Sequence, residues 1–220
     1  MSAPARTFTV RHIQLLRALF AAAAALMITF SPDHSAAVGF AVFGGFVAAS
    51  GFIFVLGAWL AVPSGSRWPL IMLGAIDLLT AIVSGVPTWR TDSVFFVVVI
   101  IWAAATGLVE LIGGLRVRRT DPTAKDAITV GALGLVLAVA LLVIPSGYSL
   151  QYSVDGAEAL TLTGIILAVG MVGGYAAIVA VFLAIAGFSP NRPSATDGVT
   201  TEDADTDGAT NASAETGGAA

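Results

Sequence analysis

Cysteine is absent from the sequence, and histidine occurs only at His12 and His34. The lack of cysteine excludes disulfides, thiolate nucleophiles and cysteine-ligated metals. Only 11% of the residues are charged, and the basic ones form no continuous face, which excludes a nucleic-acid-binding protein. Phosphate-binding loops, nucleophile elbows and His-Glu zinc motifs are also missing. The sequence therefore predicts neither a cofactor nor a metal site, and it does not predict an enzyme.

Apolar residues fill the chain instead, at 57% of the 220 residues and a mean hydropathy of +0.91. This is too apolar and too poor in charge for a soluble domain of this size. The apolar runs cover residues 13–30, 38–62, 68–86, 94–115, 127–144 and a stretch within 159–188. Because an open chain satisfies its backbone in lipid only as helices, the sequence predicts an all-α membrane protein with six transmembrane helices.

The distribution of basic residues predicts the orientation of these helices. Arg90 alone lies in a loop on the side opposite the N-terminus, whereas the other nine Lys and Arg residues lie on the N-terminal side or close to it. Basic residues in short loops stay in the cytoplasm, so both termini are predicted to be cytoplasmic. The first run also loosely fits a secretory signal peptide, with a basic start and a small-residue stretch after it.

A repeat divides the apolar part of the chain. Pro32, Pro87 and Pro145 each follow an odd-numbered helix at nearly equal spacing, and a comparable apolar run follows each proline. We therefore predict a cytoplasmic N-terminus (1–12), a six-helix domain (13–188) and an acidic, disordered cytoplasmic tail (189–220). The domain divides into helical hairpins at about 13–62, 68–115 and 127–188, and the third has a longer polar outer loop at 146–158.

Two carboxylates interrupt the central hairpin, Asp77 in one helix and Glu110 in the next. Each shares a helix face with small residues, where transmembrane helices approach closely, so both are predicted to point into the bundle. Such acids are costly in a membrane and often functional. One interpretation is that Asp77 takes up a proton under acid conditions and shifts the helix packing or passes the proton on.

The alternative interpretation is structural. Asp77 is then a packing residue bonded to Thr80 or Ser84, and Glu110 forms an interfacial ion pair with Arg116 or Arg67. Glycines in the apolar runs are predicted to be helix-packing contacts, among them Gly51, Gly57, Gly74, Gly107, Gly113, Gly114 and Gly174.

The hairpin pattern, the stretch RWPLIMLG at 67–74, the proline after each odd helix and the stretch GLVELIGG at 107–114 before a basic loop resemble the HdeD family of bacterial membrane proteins. The resemblance extends over about 15–187 and is strongest at 68–119. It implies a six-helix protein of the bacterial inner membrane, associated with acid resistance at high cell density. The family offers no catalytic residues to transfer.

The sequence thus predicts a non-enzymatic membrane protein of acid or envelope stress, with the lipid bilayer as its surroundings. Self-association or binding of another membrane protein fits the same pattern. One alternative is a small proton-coupled transporter or channel that uses Asp77. Another is a membrane scaffold that recruits a partner through the acidic tail.

Overall fold

The computed structural model describes residues 9–62, 64–121, 123–152 and 160–189. These residues form six α-helices and one pair of short strands. The helices are α1 (Val10–Phe30), α2 (Ala36–Leu60), α3 (Trp68–Ser84), α4 (Asp92–Val117), α5 (Ala124–Val143) and α6 (Gly164–Phe188). The strands are β1 (Ser149–Tyr152) and β2 (Leu160–Thr163). The predicted acidic tail lies outside the described residues, apart from Ser189.

Each predicted apolar run coincides with one helix to within a few residues, because local capping signals flank the runs. The Ser35 hydroxyl accepts a hydrogen bond from the Val38 amide at the start of α2. Thr91 does the same for the Val94 amide at the start of α4, and Pro69 occupies the first turn of α3. Five helices are long and apolar enough to cross a membrane, whereas α3 has 17 residues.

Large apolar side chains cover the outer surface of the bundle. Leu79, Ile101, Val136 and Ile178 are all more than half exposed, each in the middle of a different helix. A helix that is apolar on its outer as well as its inner face is expected in lipid rather than in water. The fold is therefore that of a mostly helical, integral membrane protein.

Helix packing does not simply follow the predicted hairpins. The closest pairs are α1 with α6, α2 with α3, and α4 with α5, so the tightest contacts join one hairpin to the next. Helices α2, α4 and α6 also contact one another. Burial agrees with this arrangement: 50%, 44% and 44% of the most apolar segment is buried in α2, α4 and α6, against 33% in α1 and α5. The even-numbered helices thus form the centre of the bundle.

Glycines explain why these pairs approach so closely. A Cβ atom at Gly107 would lie 2.8 Å from the carbonyl oxygen of Gly131, and one at Gly74 would lie 3.2 Å from that of Gly51. Such backbone contacts leave no room for a side chain. Crowded contacts of under 3.0 Å also occur at Gly57, against Ile13, and at Gly114, against Ile128.

Two of the predicted packing glycines behave differently. At Gly174 a Cβ atom would meet nothing within 4 Å, so this prediction was wrong, and the neighbouring Gly173 packs against Ile28 instead. Successive residues point in different directions around a helix, so adjacent glycines face different neighbours. At Gly113 the nearest atom is 3.5 Å away, which is ordinary contact.

The connection between α5 and α6 contains structure that the all-α prediction missed. Strands β1 and β2 pair antiparallel, with Ser149 opposite Thr163 and Leu150 opposite Leu162. The Gly164 amide donates to the carbonyl oxygen of Tyr148 and so joins this pair to the start of α6. Helix α6, with 25 residues, is no longer than α2 and α4, with 25 and 26.

Candidate functional site

Asp77 and Glu110 both point into the bundle, at 2% and 6% exposure. Helices α1, α3 and α5 begin at one end of the bundle, which we call the N-terminal end, and the even-numbered helices begin at the opposite end. Asp77 lies in the middle of α3. Glu110 lies closer to the N-terminal end, in the last third of α4.

Asp77 is held by a residue that the sequence analysis did not single out. The indole N–H of Trp102 in α4 donates a hydrogen bond to Asp77 Oδ1 at 2.7 Å. The candidate partners were wrong, because the Ser84 hydroxyl donates to the carbonyl oxygen of Thr80 in its own helix. Asp77 therefore has a neutral donor at hydrogen-bond distance and forms no salt bridge among the described residues.

Glu110 forms a buried salt bridge with Arg17 of α1. Arg17 Nη2 lies 2.6 Å from Glu110 Oε1, and the guanidinium lies over the Phe54 ring, 4.5 Å from its centroid. The predicted partners were wrong, because each of them contacts a tryptophan instead: Arg67 lies over Trp59 and Arg116 over Trp68. Both arginines come from loops or helix ends, whereas Arg17 already lies inside the bundle.

Both carboxylates line a small cavity of about 20 Å³. We call its polar lining the polar layer: Arg17, Ser50, Asp77, Trp102, Thr106, Glu110 and Tyr175. The Thr106 hydroxyl is occupied, since it donates to the carbonyl oxygen of Trp102. Among the described residues, the hydroxyls of Ser50 and Tyr175 have no hydrogen-bond partner. The polar layer therefore keeps unused donors and acceptors directed at a space that fits about one water molecule.

A much larger cavity of about 550 Å³, which we call the vestibule, lies between the polar layer and the N-terminal end. Its lining includes the first residues of α1, α3 and α5 and the last turn of α4, for example Val10, Trp68, Ala124 and Val117. Arg17, Glu110, Phe54 and Leu73 line both cavities. The salt bridge and these two apolar side chains thus form the boundary between the vestibule and the small cavity.

Aromatic rings fill the bundle on the other side of the polar layer. Phe40, Phe43 and Phe95, which we call the aromatic plug, are at most 1% exposed. They stack edge to face, with ring centroids 5.1 Å apart for Phe40 and Phe95, and Phe43 continues the series to Trp102 at 5.0 Å. This half of the core is closed by interlocking rings.

A second polar contact lies at the vestibule. Gln14 of α1 donates from its amide nitrogen to Asp126 Oδ2 of α5 at 2.7 Å. Together with the salt bridge, this bond ties α1 to helices with which it shares little other packing. The first predicted helix is thereby an integral part of the described bundle.

Of the residues missed by sequence reasoning, Arg17 carried a readable signal. It lies inside the first apolar run, so the argument applied to Asp77 and Glu110 applies to it equally. Trp102, Ser50 and Tyr175 carried none, because such residues are common in apolar helices and only the packing brings them together.

Within the described ranges, no group of three or more His, Asp or Glu side chains is arranged to hold a metal ion. Comparison with protein-family models, with curated proteins and with solved structures found no match. The geometry of the polar layer, the vestibule and the aromatic plug is therefore the basis for interpreting the site.

Proposed function

We propose that this chain is a multi-pass protein of the bacterial inner membrane in which all six helices span the bilayer and both termini are cytoplasmic. The five long apolar helices support this, and the 17 residues of α3 reach the lower limit of about 17 for a spanning helix. The excess of basic residues near the N-terminal end supports the orientation. The central position of α2, α4 and α6 is what a threefold repeat of one hairpin would produce.

The function that the site supports best is non-enzymatic and lies in the response to acid or envelope stress, as the resemblance to the HdeD family implies. The observation that carries this proposal is the polar layer, where Arg17, Asp77 and Glu110 from three helices line one cavity within an apolar bundle. Ionisable groups are costly in such surroundings, which favours a functional role for them. The cavity between them fits water and no larger substrate.

Protonation offers a physical route from acid to a change in the bundle. A proton on Glu110 would remove the negative charge that holds the Arg17 guanidinium, and a proton on Asp77 would change its bond to Trp102. Both events affect contacts between helices rather than within one helix. Acid would therefore alter the packing of α1 and α3 against α4.

Acid-shock survival of dense cultures tests this proposal. A strain lacking the protein is complemented with wild type, with Asp77→Asn/Glu110→Gln, or with the control Asp92→Asn, all matched for abundance in the membrane. Asp92 is an exposed acid at the start of α4, away from the polar layer. We expect wild type and the control to rescue survival and the double variant to fail. Equal rescue by all three, or no defect in the deletion strain, would refute the stress role of these acids.

The vestibule favours one other candidate, a small proton-coupled transporter or channel that uses Asp77. It leads from the N-terminal end to Glu110, as an access path would. Proton flux into liposomes that Asp77→Asn abolishes and Asp92→Asn leaves intact would support this candidate. A scaffold that works through residues 189–220 would instead lose its co-purifying partner when that tail is deleted.

A further inference from the structure

We propose that Asp77 exchanges protons with the N-terminal side of the bundle only, by way of Glu110 and a water molecule held in the small cavity of the polar layer. The inference rests on the membrane bundle of the proposed function and adds a direction to it. If the N-terminal end is cytoplasmic, Asp77 responds to the pH of the cytoplasm and not to that outside the cell.

The first argument is the shape and chemistry of the small cavity. A site for a buried water needs about 10–15 Å³ of space and two to four polar partners. The cavity offers about 20 Å³, and Asp77 and Ser50 line it while being only 2% and 4% exposed. Trp102 occupies Oδ1 of Asp77, which leaves Oδ2, the Ser50 hydroxyl and the Tyr175 hydroxyl for the water. Asp77 and Glu110 both line this cavity, so a water held there lies between the two carboxylates.

The second argument is the connection to the vestibule. Glu110 lines both cavities, and Arg17 bonds its Oε1 only. A proton that arrives from the vestibule therefore binds the Glu110 carboxylate and loosens the salt bridge. Glu110 then gives this proton to the cavity water, which passes one of its own to the Asp77 carboxylate. The water is unchanged, Glu110 returns to its charged, paired form, and Asp77 is neutral.

The third argument is the closure of the opposite side. Between Asp77 and the opposite end, the core contains the aromatic plug together with Val47, Val99 and Val169, which are at most 1% exposed. These side chains offer no group that can carry a proton, and the buried Ser84 hydroxyl on the same side already donates to the carbonyl oxygen of Thr80 in its own helix. Proton transfer needs hydrogen-bonded partners, so this half of the bundle is a barrier.

The groups facing Asp77 on the neighbouring helices are few. The charged or titratable ones are Arg17 of α1, Glu110 of α4 and Tyr175 of α6. Helix α2 contributes the uncharged Ser50, and α5 contributes no residue to the cavity lining. Trp102 donates directly to Asp77, so a change in charge at Asp77 changes the surroundings of the Trp102 indole.

Trp102 makes the test possible without an added probe. The exposed residues Trp59, Trp68 and Trp89 are replaced by Phe, so that Trp102 is the sole tryptophan of the chain. The protein is reconstituted into vesicles, and the emission of Trp102 is followed after a rapid acid jump outside. Orientation is determined in a Lys125→Cys version, because the natural chain has no cysteine and a membrane-impermeant maleimide labels only an outward-facing N-terminal end.

We expect the emission of Trp102 to shift at once in molecules whose N-terminal end faces outward. Molecules in the other orientation should shift only after a protonophore is added. Asp77→Asn should abolish both responses, whereas Asp92→Asn should leave them unchanged. A response from the opposite orientation without protonophore, or one that persists in Asp77→Asn, would overturn the proposal.

The relay itself is tested by rate. Glu110→Gln should slow the emission shift by at least about a hundredfold, the lower end of what a positioned acid–base group contributes. Ser50→Val, which removes a hydroxyl and fills the cavity, should slow it as well and keeps the test usable if Glu110→Gln does not fold. Wild-type rates in these variants would overturn the relay. Because the vesicle measurement does not involve survival, its failure is distinct from a failure of the stress role.

Discussion

The two halves of the bundle differ in what holds their helices together. Toward the opposite end, the aromatic plug and buried valines fill the core, and Phe40 and Phe95 stack edge to face with centroids 5.1 Å apart. Toward the N-terminal end, a salt bridge and a hydrogen bond from α1 cross a vestibule of about 550 Å³. The comparison teaches that one half has a core filled by packed side chains, whereas the other surrounds a cavity that polar contacts cross. In that second half, tight glycine contacts such as Gly57 with Ile13 and Gly114 with Ile128 hold only neighbouring helices together. A bundle built this way is most easily changed at its N-terminal end.

The largest loss of stability is expected from breaking the salt bridge between Arg17 and Glu110, at the boundary of these halves. Arg17→Met leaves the Glu110 carboxylate buried without a cation, and breaking a buried pair in this way costs about 3–5 kcal/mol. The measurement is the free energy of unfolding by SDS titration in mixed micelles.

The double variant Arg17→Met/Glu110→Gln is the control, since it removes the unpaired charge as well as the salt bridge. It should recover most of the loss. A single-variant loss below about 1 kcal/mol, as for an exposed ion pair, would mean that water in the vestibule already solvates Glu110.

A smaller loss of stability is expected from adding a methyl group at a crowded glycine of one half, compared with an uncrowded glycine of the other. A Cβ atom at Gly39, in the half with the aromatic plug, would lie 2.7 Å from Val169 and 2.9 Å from Phe95. Gly39→Ala should therefore cost about 1–3 kcal/mol, the usual range for overpacking. At Gly113 beside the vestibule the nearest atom would be 3.5 Å away, so Gly113→Ala should cost nothing or add slight stability. Equal losses in the same unfolding assay would show that Gly113 is packed as tightly as Gly39.

The smallest loss of stability is expected from removing the hydrogen bond between Trp102 of α4 and Asp77 of α3. Trp102→Phe keeps an aromatic ring but removes the N–H that Asp77 accepts, and the expected loss is about 1 kcal/mol. A double-mutant cycle with Asp77→Ala, which removes the acceptor, separates this bond from the packing of the indole. A coupling energy near zero would contradict the hydrogen bond as a link between α3 and α4.

Sequence reasoning predicted the helices well because the signals are local. Apolar length, Ser35 and Thr91 as caps, and prolines after the odd-numbered helices act within one turn of the chain. Burial of Asp77 and Glu110 also followed from local information, since each shares its face with small residues. The partners of these acids did not follow: Arg17 lies 93 residues from Glu110 in the sequence, and Trp102 lies 25 from Asp77.

Glycines show the same difference between what local sequence predicts and what only the tertiary packing decides. Gly107 packs on the backbone of α5 as predicted, while Gly174 faces open space and Gly173 makes the contact. Small residues indicate that helices approach closely, but which of two adjacent glycines does so depends on the rotation of the helix in the bundle.

The sequence by itself determined that this chain is a helical membrane protein, where its helices begin and end, and that two acids lie inside them. These features depend on hydrophobicity, backbone hydrogen bonding and capping, which act between near neighbours. Only the tertiary structure decided that Arg17, Asp77 and Glu110 line one cavity, and that this cavity borders the vestibule on one side and aromatic rings on the other. Those relations depend on the rotation and axial offset of six helices, which are set by packing across the whole bundle and not by any one segment.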